Sequence, residues 1–398
     1  MIRSAKARRT WRGPVLLSCG FRPFFLGAAA WAAIGIALWM PFYVGEIEIP
    51  TALAPVSWHA HEMIYGYGSA VVAGFLLTAI PNWTGRLPVA GWPLAALAAL
   101  WAAGRIAVLA SAMIGWRAAA VIDVAFLAVF AAVAVREVVA GRNRRNLKVV
   151  ALLLGLAGAN AAFHVEAATA GAAVVSTRVG LALIVFMILL IGGRVVPSFT
   201  SNWLAKRGEE ALPAPFGRAD GAVMALSATA LGLWVVDPGQ GVAGATLLLA
   251  AAGNAWRLSR WRGWSTRSDR LVLVLHAGFL FAVLGFVFAG AGSLWPDLVP
   301  SAAGIHVWAV GAIGTMTLAI MTRASLGHTG RALRASGLTQ LLYSAVAVAA
   351  AARGAMIFLP GAALPLMSIA GAAWIAAFGG FVAAYGPMLL EWPRRSAP

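Results

Sequence analysis

Six histidines stand in the 398-residue chain: His59, His61, His164, His276, His306 and His328. The first five lie within or at the edge of apolar runs, and His328 lies just past the end of one. Ionisable side chains at membrane depth are costly, so their default reading is a functional site. Neutral imidazole is a good ligand for haem iron and for copper, and it needs no thiolate partner. The densest group opens the stretch WHAHEMIYGYGSAVVAGFLLTAIPNWTGR, residues 58–86, where His59, His61 and Glu62 precede an apolar run long enough to cross a bilayer.

Positioning such residues requires helices, and the composition says of what kind. The chain is 61% hydrophobic and only 11% charged, too few charges to cover a water-facing surface. The apolar runs lack the period-two alternation of a membrane barrel. The fold class is therefore all-α: a polytopic helical membrane protein of about twelve spans. They fall near 24–44, 60–80, 92–113, 119–139, 147–167, 178–198, 219–236, 242–258, 271–292, 300–321, 337–359 and 364–390. Three parts follow: a basic N-terminal segment 1–23, one transmembrane domain 24–390 and a tail 391–398. The N-terminal segment (Arg3, Lys6, Arg8, Arg9, Arg12) has no small-residue cleavage site after a short apolar core, so the first span is expected to be retained.

Counting Lys and Arg puts 26 of 30 on one side of such a bundle, which places both termini in the cytoplasm. The net charge of +17 is thus a topology signal in short loops, and no nucleic acid is expected as a partner. The single cysteine, Cys19, allows no internal disulfide or thiolate cluster. The same topology puts His59, His61, His164 and His306 at one outer depth, where histidines of spans 2 and 10 would clamp a haem. His276 and His328 fall at the inner depth and could form a second metal centre. Glu62 and Glu166 are candidate acceptors that fix an imidazole tautomer. Arg105, Arg178 and Arg353 lie near or within the membrane and need partners, for which haem propionates or the carboxylates of Asp123, Glu166 and Glu62 would serve. Glycines 66, 68, 74, 311 and 314 either pack helices closely or leave room for a flat macrocycle. No Walker A motif and no CxxCH motif occurs.

There is an internal echo with a period of four helices. His61 precedes Thr84-Gly85-Arg86 by 23 residues, and His306 precedes Thr329-Gly330-Arg331 by the same 23. Gly66 and Gly311 each follow that histidine by five residues, and span 6 ends in the related Pro197-Ser-Phe-Thr200-Ser-Asn202. Three sets of four helices would resemble the catalytic subunits of haem–copper oxidases, although spans 6 and 7 here contain no histidine.

Longer motifs carry a more specific resemblance. His59-x-His61-Glu62-Met63 with Gly66-Tyr67, then Gly74-Phe75-Leu-Leu-Thr78-Ala79 and Asn82-Trp83-Thr84-Gly85, is similar to the NnrS family. Arg194-x-x-Pro197-x-Phe199-Thr200-x-Asn202 matches a second signature of that family, and His306 through Gly311 and Gly314 to Thr322-Arg323-x-x-Leu326-Gly327-His328 a third. The resemblance implies a bacterial inner-membrane protein containing haem (b-type) and copper, acting in the response to nitric oxide and in denitrification. Its implied partners are nitric oxide or another diatomic, membrane lipids and a respiratory electron donor. It does not say which histidine holds which metal. Two other readings stand beside it: a proton-coupled secondary transporter using His59, Glu62 and Asp123, and a cofactor-free assembly partner of a respiratory complex.

Overall fold

The computed structural model describes residues 13–391; the basic residues Arg3 to Arg12 and the last seven residues of the tail lie outside them. Among the described residues there is no strand, and the chain is helical almost throughout. The long helices are α1 Phe21–Tyr43, α2 Pro55–Thr84, α3 Trp92–Leu109, α4 Trp116–Ala140, α5 Leu147–Ala170 and α6 Val174–Ala205. The second half continues with α7 Arg218–Val236, α8 Gly241–Ser259, α9 Arg270–Leu294, α10 Ala302–His328, α11 Gly337–Phe358 and α12 Ala363–Leu390. Among the described residues, eleven helical stretches are long and apolar enough to cross a membrane. The twelfth long helix, α8, is not among them, because it carries Asn254 and Arg257 in an otherwise apolar sequence. The chain is a multi-pass membrane protein. Hydrocarbon offers no hydrogen bonds, so each crossing segment must satisfy its backbone internally, and the helix does so. Val121, Ile106 and Val236 point away from the protein, as lipid-facing side chains do.

Helix boundaries follow local chemistry. Asp269 caps α9 by accepting from the amides of Leu271 (3.0 Å) and Val272 (3.3 Å). Ser336 caps α11 through the amide of Thr339 at 3.1 Å. At the other end of a helix, buried Arg22 donates to the carbonyls of Met388, Leu389 and Glu391, covering the terminal acceptors of α12 with a positive charge.

Among the described residues, three of the long helices contain a stretch that departs from α geometry. Residues Glu62–Gly68 of α2, Ile188–Gly192 of α6 and Val307–Gly314 of α10 form π-helical turns. These are the three helices that share sequence marks at a four-helix period. Each is also followed by a glycine in the left-handed region: Gly85 (φ 70°), Gly208 (φ 74°) and Gly330 (φ 73°). Two of the π turns begin immediately after a histidine, His61 and His306. Such turns are rare and occur frequently at functional sites.

The chain divides into two compact units. The first comprises residues 1–180, 324–331 and 378–398. In it α1 packs on α2, α4 packs on α2, α3 and α5, and the end of α2 is held by Asn143 Nδ2 bonding the Trp83 carbonyl at 2.7 Å. The second comprises residues 181–323 and 332–377. Its core is built on Trp308 from the α10 π turn, which meets Phe286 and Trp234 edge-on and donates to the Ala282 carbonyl at 3.1 Å.

At some positions glycine is required by the close approach of two backbones. A Cβ at Gly304 would lie 2.6 Å from the backbone N and Cα of Ala289, atoms that cannot rotate aside. A Cβ at Gly158 meets nothing within 4 Å. Gly304→Ala is therefore expected to destabilise the protein by roughly 1–3 kcal/mol. Gly158→Ala is expected to be neutral or stabilising by up to about 1 kcal/mol. Thermal unfolding of the two purified variants in one detergent checks this, and equal midpoints would contradict it.

Candidate metal centre

The first unit buries an unusual set of charges. Glu62 lies on the first residue of the α2 π turn, Arg105 near the end of α3 and Asp123 two turns into α4. His61 precedes the π turn, and Asn160 and His164 lie one turn apart on α5. The helices alternate in direction, so these positions fall at one end of the unit. His61 and Glu62 are 0% exposed, Asp123 2%, Arg105 3% and His164 4%, so bulk solvent does not screen them.

Arg105 ties the carboxylates together. Its Nη1 donates to Glu62 Oε2 at 2.7 Å, and its Nη2 pairs with Asp123 Oδ1. Trp31 Nε1 from α1 donates to the same Glu62 oxygen at 2.6 Å. Two glycines make the room. A Cβ at Gly66 would stand 2.6 Å from Arg105 Nη1, 2.8 Å from Glu62 Oε2 and 3.0 Å from Trp31 Nε1. A Cβ at Gly104 would stand 2.9 Å from Asp123 Oδ1 and 3.1 Å from Asp123 Cα. The Gly66 carbonyl takes Trp101 Nε1 at 2.9 Å, a donor from another helix at the π turn.

His61 has oxygens on both sides. Its Nδ1 stands 2.9 Å from Glu62 Oε1, a carboxylate oxygen that can only accept, so Nδ1 carries a hydrogen. Its Nε2 stands 3.1 Å from Asp123 Oδ2 and 3.0 Å from Asn160 Oδ1. The Asn160 amide is oriented by its Nδ2, which donates to Asp123 Oδ2 at 2.8 Å; the flipped amide would set two acceptors against each other. His164 Nε2 approaches the same Asp123 oxygen at 3.0 Å. A neutral His61 with its hydrogen on Nδ1 would aim its Nε2 lone pair at two oxygens, which is repulsive. A cation at Nε2 removes the repulsion. The charge count asks for the same thing, because two buried carboxylates face one guanidinium and one negative charge remains. That cation is either a second proton on the imidazole or a metal ion.

The donor set fits a metal ion. His61, Asp123 and His164 each offer a ligand atom, and the three atoms lie within 4.8 Å of one another. Metal–nitrogen and metal–oxygen bonds of about 2.0–2.2 Å put adjacent ligands at right angles about 3 Å apart. The separations of 3.0 and 3.1 Å around Asp123 Oδ2 match that spacing. Two imidazoles and a carboxylate suit copper, zinc or iron. Glu62 would hold the His61 ring from behind, as metal-bound histidines require. A macrocycle fits these residues less well. Four of the five glycines that might have bedded a flat ring are filled: Gly66 by Arg105, Glu62 and Trp31, Gly74 by Phe24 and Phe25, Gly311 by Phe281, and Gly314 by Trp374.

The other expected residues fall elsewhere. His59 points to a different side of α2 from His61 and stacks on Trp39, with ring centroids 4.2 Å apart. Glu166 meets no imidazole among the described residues. It caps the start of α6, accepting from the amides of Val174, Val175 and Ser176 and from the Ser176 hydroxyl. Arg105 is paired with carboxylates, the second of its two expected kinds of partner, and Arg178 has a buried Nε that makes no hydrogen bond among the described residues. In the second unit, His306 accepts from Arg353 Nη2 at 2.8 Å, and His276 Nε2 donates to Thr200 Oγ1 at 2.9 Å. His328, in the first unit, is the last residue of α10 rather than lying past its end, and packs on the ring of Phe21. Asn160 and Trp31 were not expected at all, and Asp123 was expected only as a partner for arginine or a proton carrier. Asn160 stands four residues before His164 on one helix face, a spacing visible in the sequence.

A family model described as NnrS protein matches residues 15–393. The chain belongs to the NnrS family. A search of the curated proteins gave no match. The NnrS match spans every residue of the buried cluster and all twelve long helices.

Removing the guanidinium from this cluster would leave two carboxylates buried side by side. Arg105→Met is expected to cost about 3–5 kcal/mol, the scale for breaking a buried pair. Arg105→Met combined with Glu62→Gln and Asp123→Asn is expected to recover most of that loss. Melting midpoints and the yield of monodisperse protein check it; a triple variant no more stable than the single one would contradict this electrostatic account.

Proposed function

We propose that this NnrS-family membrane protein holds a copper ion at His61, Asp123 and His164 and uses it in handling nitric oxide. The observation that carries the proposal is His61 Nε2, placed between two oxygens with its other nitrogen already committed to Glu62. An arrangement of acceptors with a surplus negative charge has the chemistry of a cation site. Copper stands highest among divalent ions in affinity for a nitrogen and oxygen set. Bound there, the ion would supply an open coordination position for a diatomic ligand.

The protein's own residues do the rest of the work. Glu62 and Asn160 would fix the ring plane and tautomer of His61. Arg105 holds Asp123 Oδ1, which leaves Oδ2 as its coordinating oxygen. Phe163 and Tyr65 pack against the His61 ring and keep water out. Nitric oxide is small and apolar, so it partitions into lipid and reaches a buried site in a membrane protein without a polar channel. The family resemblance also brings haem, the bacterial inner membrane, a role in nitrosative stress or denitrification, and a respiratory electron donor into the proposal. No haem ligand is assigned among the residues of the cluster, for the reasons of fit given above.

A second reading rests on the same observation. If the cation at Nε2 is a proton, His61, Glu62 and Asp123 form a proton-carrying network of the kind a coupled transporter uses. Metal analysis separates the two. Purified wild-type protein is expected to retain close to one copper per chain at this centre after dialysis, to lose it to a strong chelator, and to change its copper EPR spectrum on exposure to nitric oxide. His164→Gln and Asp123→Asn are expected to lower affinity for that ion by at least about tenfold. Wild-type protein without metal, but with proton-coupled flux in proteoliposomes, would replace this reading with the transporter.

A further inference from the structure

The second unit contains another pair of ligand atoms gathered around a cation. His306 lies in the first turns of α10, just before its π turn, and Met356 lies in the last turn of α11. The His306 ring is oriented by its own helix: Nδ1 donates to the Ala302 carbonyl at 2.8 Å. The Nε2 lone pair is thereby turned outward, the arrangement of a metal-ligating histidine whose second nitrogen is held by a backbone carbonyl. That lone pair accepts from Arg353 Nη2 at 2.8 Å. The other arm of the same guanidinium, Nη1, is 2.8 Å from Met356 Sδ. The two arms of one planar guanidinium thus meet an imidazole nitrogen and a thioether sulfur. All three residues are partly exposed, so the group can be reached from outside the bundle.

Both donors are neutral and one is soft. Thioether sulfur with imidazole nitrogen favours copper(I) over the harder divalent ions. A monovalent ion bound by two neutral ligands also keeps the charge that the guanidinium presents there. We propose that His306 Nε2 and Met356 Sδ bind copper(I), in competition with the guanidinium of Arg353. Binding exchanges one cation for another: Arg353 swings away from the two lone pairs, and no bond in the protein is made or broken. The site differs from the His61 centre in every ligand, in preferred oxidation state and in its access. It stands or falls without that centre.

The competition gives the test a sign that a structural role for Arg353 would not produce. Full-length protein in detergent would be titrated with copper(I) under reducing, oxygen-free conditions against bicinchoninate, and the copper-loaded samples measured by X-ray absorption. Wild type is expected to bind copper(I) with a sulfur scatterer in the first shell. Met356→Leu keeps the volume and removes the sulfur; it is expected to weaken binding at least about tenfold and to abolish the sulfur signal. Arg353→Gln removes the competing charge and is expected to tighten binding by about tenfold. His164→Gln is expected to leave the sulfur signal unchanged, which separates this site from the His61 centre. The proposal is overturned if Met356→Leu binds copper(I) like wild type, or if Arg353→Gln, eluting as a monodisperse peak, binds it more weakly.

Discussion

Two carboxylates buried around one guanidinium constrain the whole first unit. Glu62, Asp123 and Arg105 come from three helices, and none of them reaches water. Each would be costly alone, and together they still lack one positive charge. The local architecture follows from holding them. Gly66 and Gly104 are glycines because the Arg105, Glu62 and Asp123 side chains occupy the space of their Cβ atoms. Trp31 and Trp101 turn their indole N–H groups inward, to Glu62 and to the Gly66 carbonyl. The histidines stand where the remaining acceptors converge. A stable apolar bundle needs none of this, so function is the simplest reason for keeping it.

The histidines show how environment divides one residue type into several roles. His61 faces acceptors at both nitrogens and calls for a cation. His306 has one nitrogen fixed by a backbone carbonyl and the other offered outward to Arg353. His276 rests on a threonine hydroxyl, and His59 is stacked flat on an indole. Membership of the NnrS family does not sort these histidines. Geometry does, through which atoms each ring nitrogen meets.

The sequence revealed depth well and rotation poorly. Apolar run lengths located the long helices, although α6 and α10 run on past their expected ends at 198 and 321 to Ala205 and His328, and α8 read as a span despite Asn254 and Arg257. Alternating helix direction put His61 and His164 at a common level. Which way a side chain points round its helix depends on packing and, in α2, on a π turn that no residue pattern announces. So Glu166 read as a partner for histidine when it caps α6, and Asn160 went unnoticed although it is one turn from His164. Asp123 was visible as a lone acid in an apolar helix, but its contact with both imidazoles needed the α3–α4 approach at Gly104. The glycines were read in two ways, and at Gly66, Gly74, Gly311 and Gly314 side chains fill the space beside them.

The most direct test of a metal ion at His61, Asp123 and His164 is anomalous diffraction from crystals of the purified protein, recorded on both sides of the copper absorption edge. The account predicts an anomalous peak about 2.0–2.2 Å from His61 Nε2, His164 Nε2 and Asp123 Oδ2. Well-ordered density for those three side chains, with copper present in the crystal but no anomalous peak between them, would contradict it.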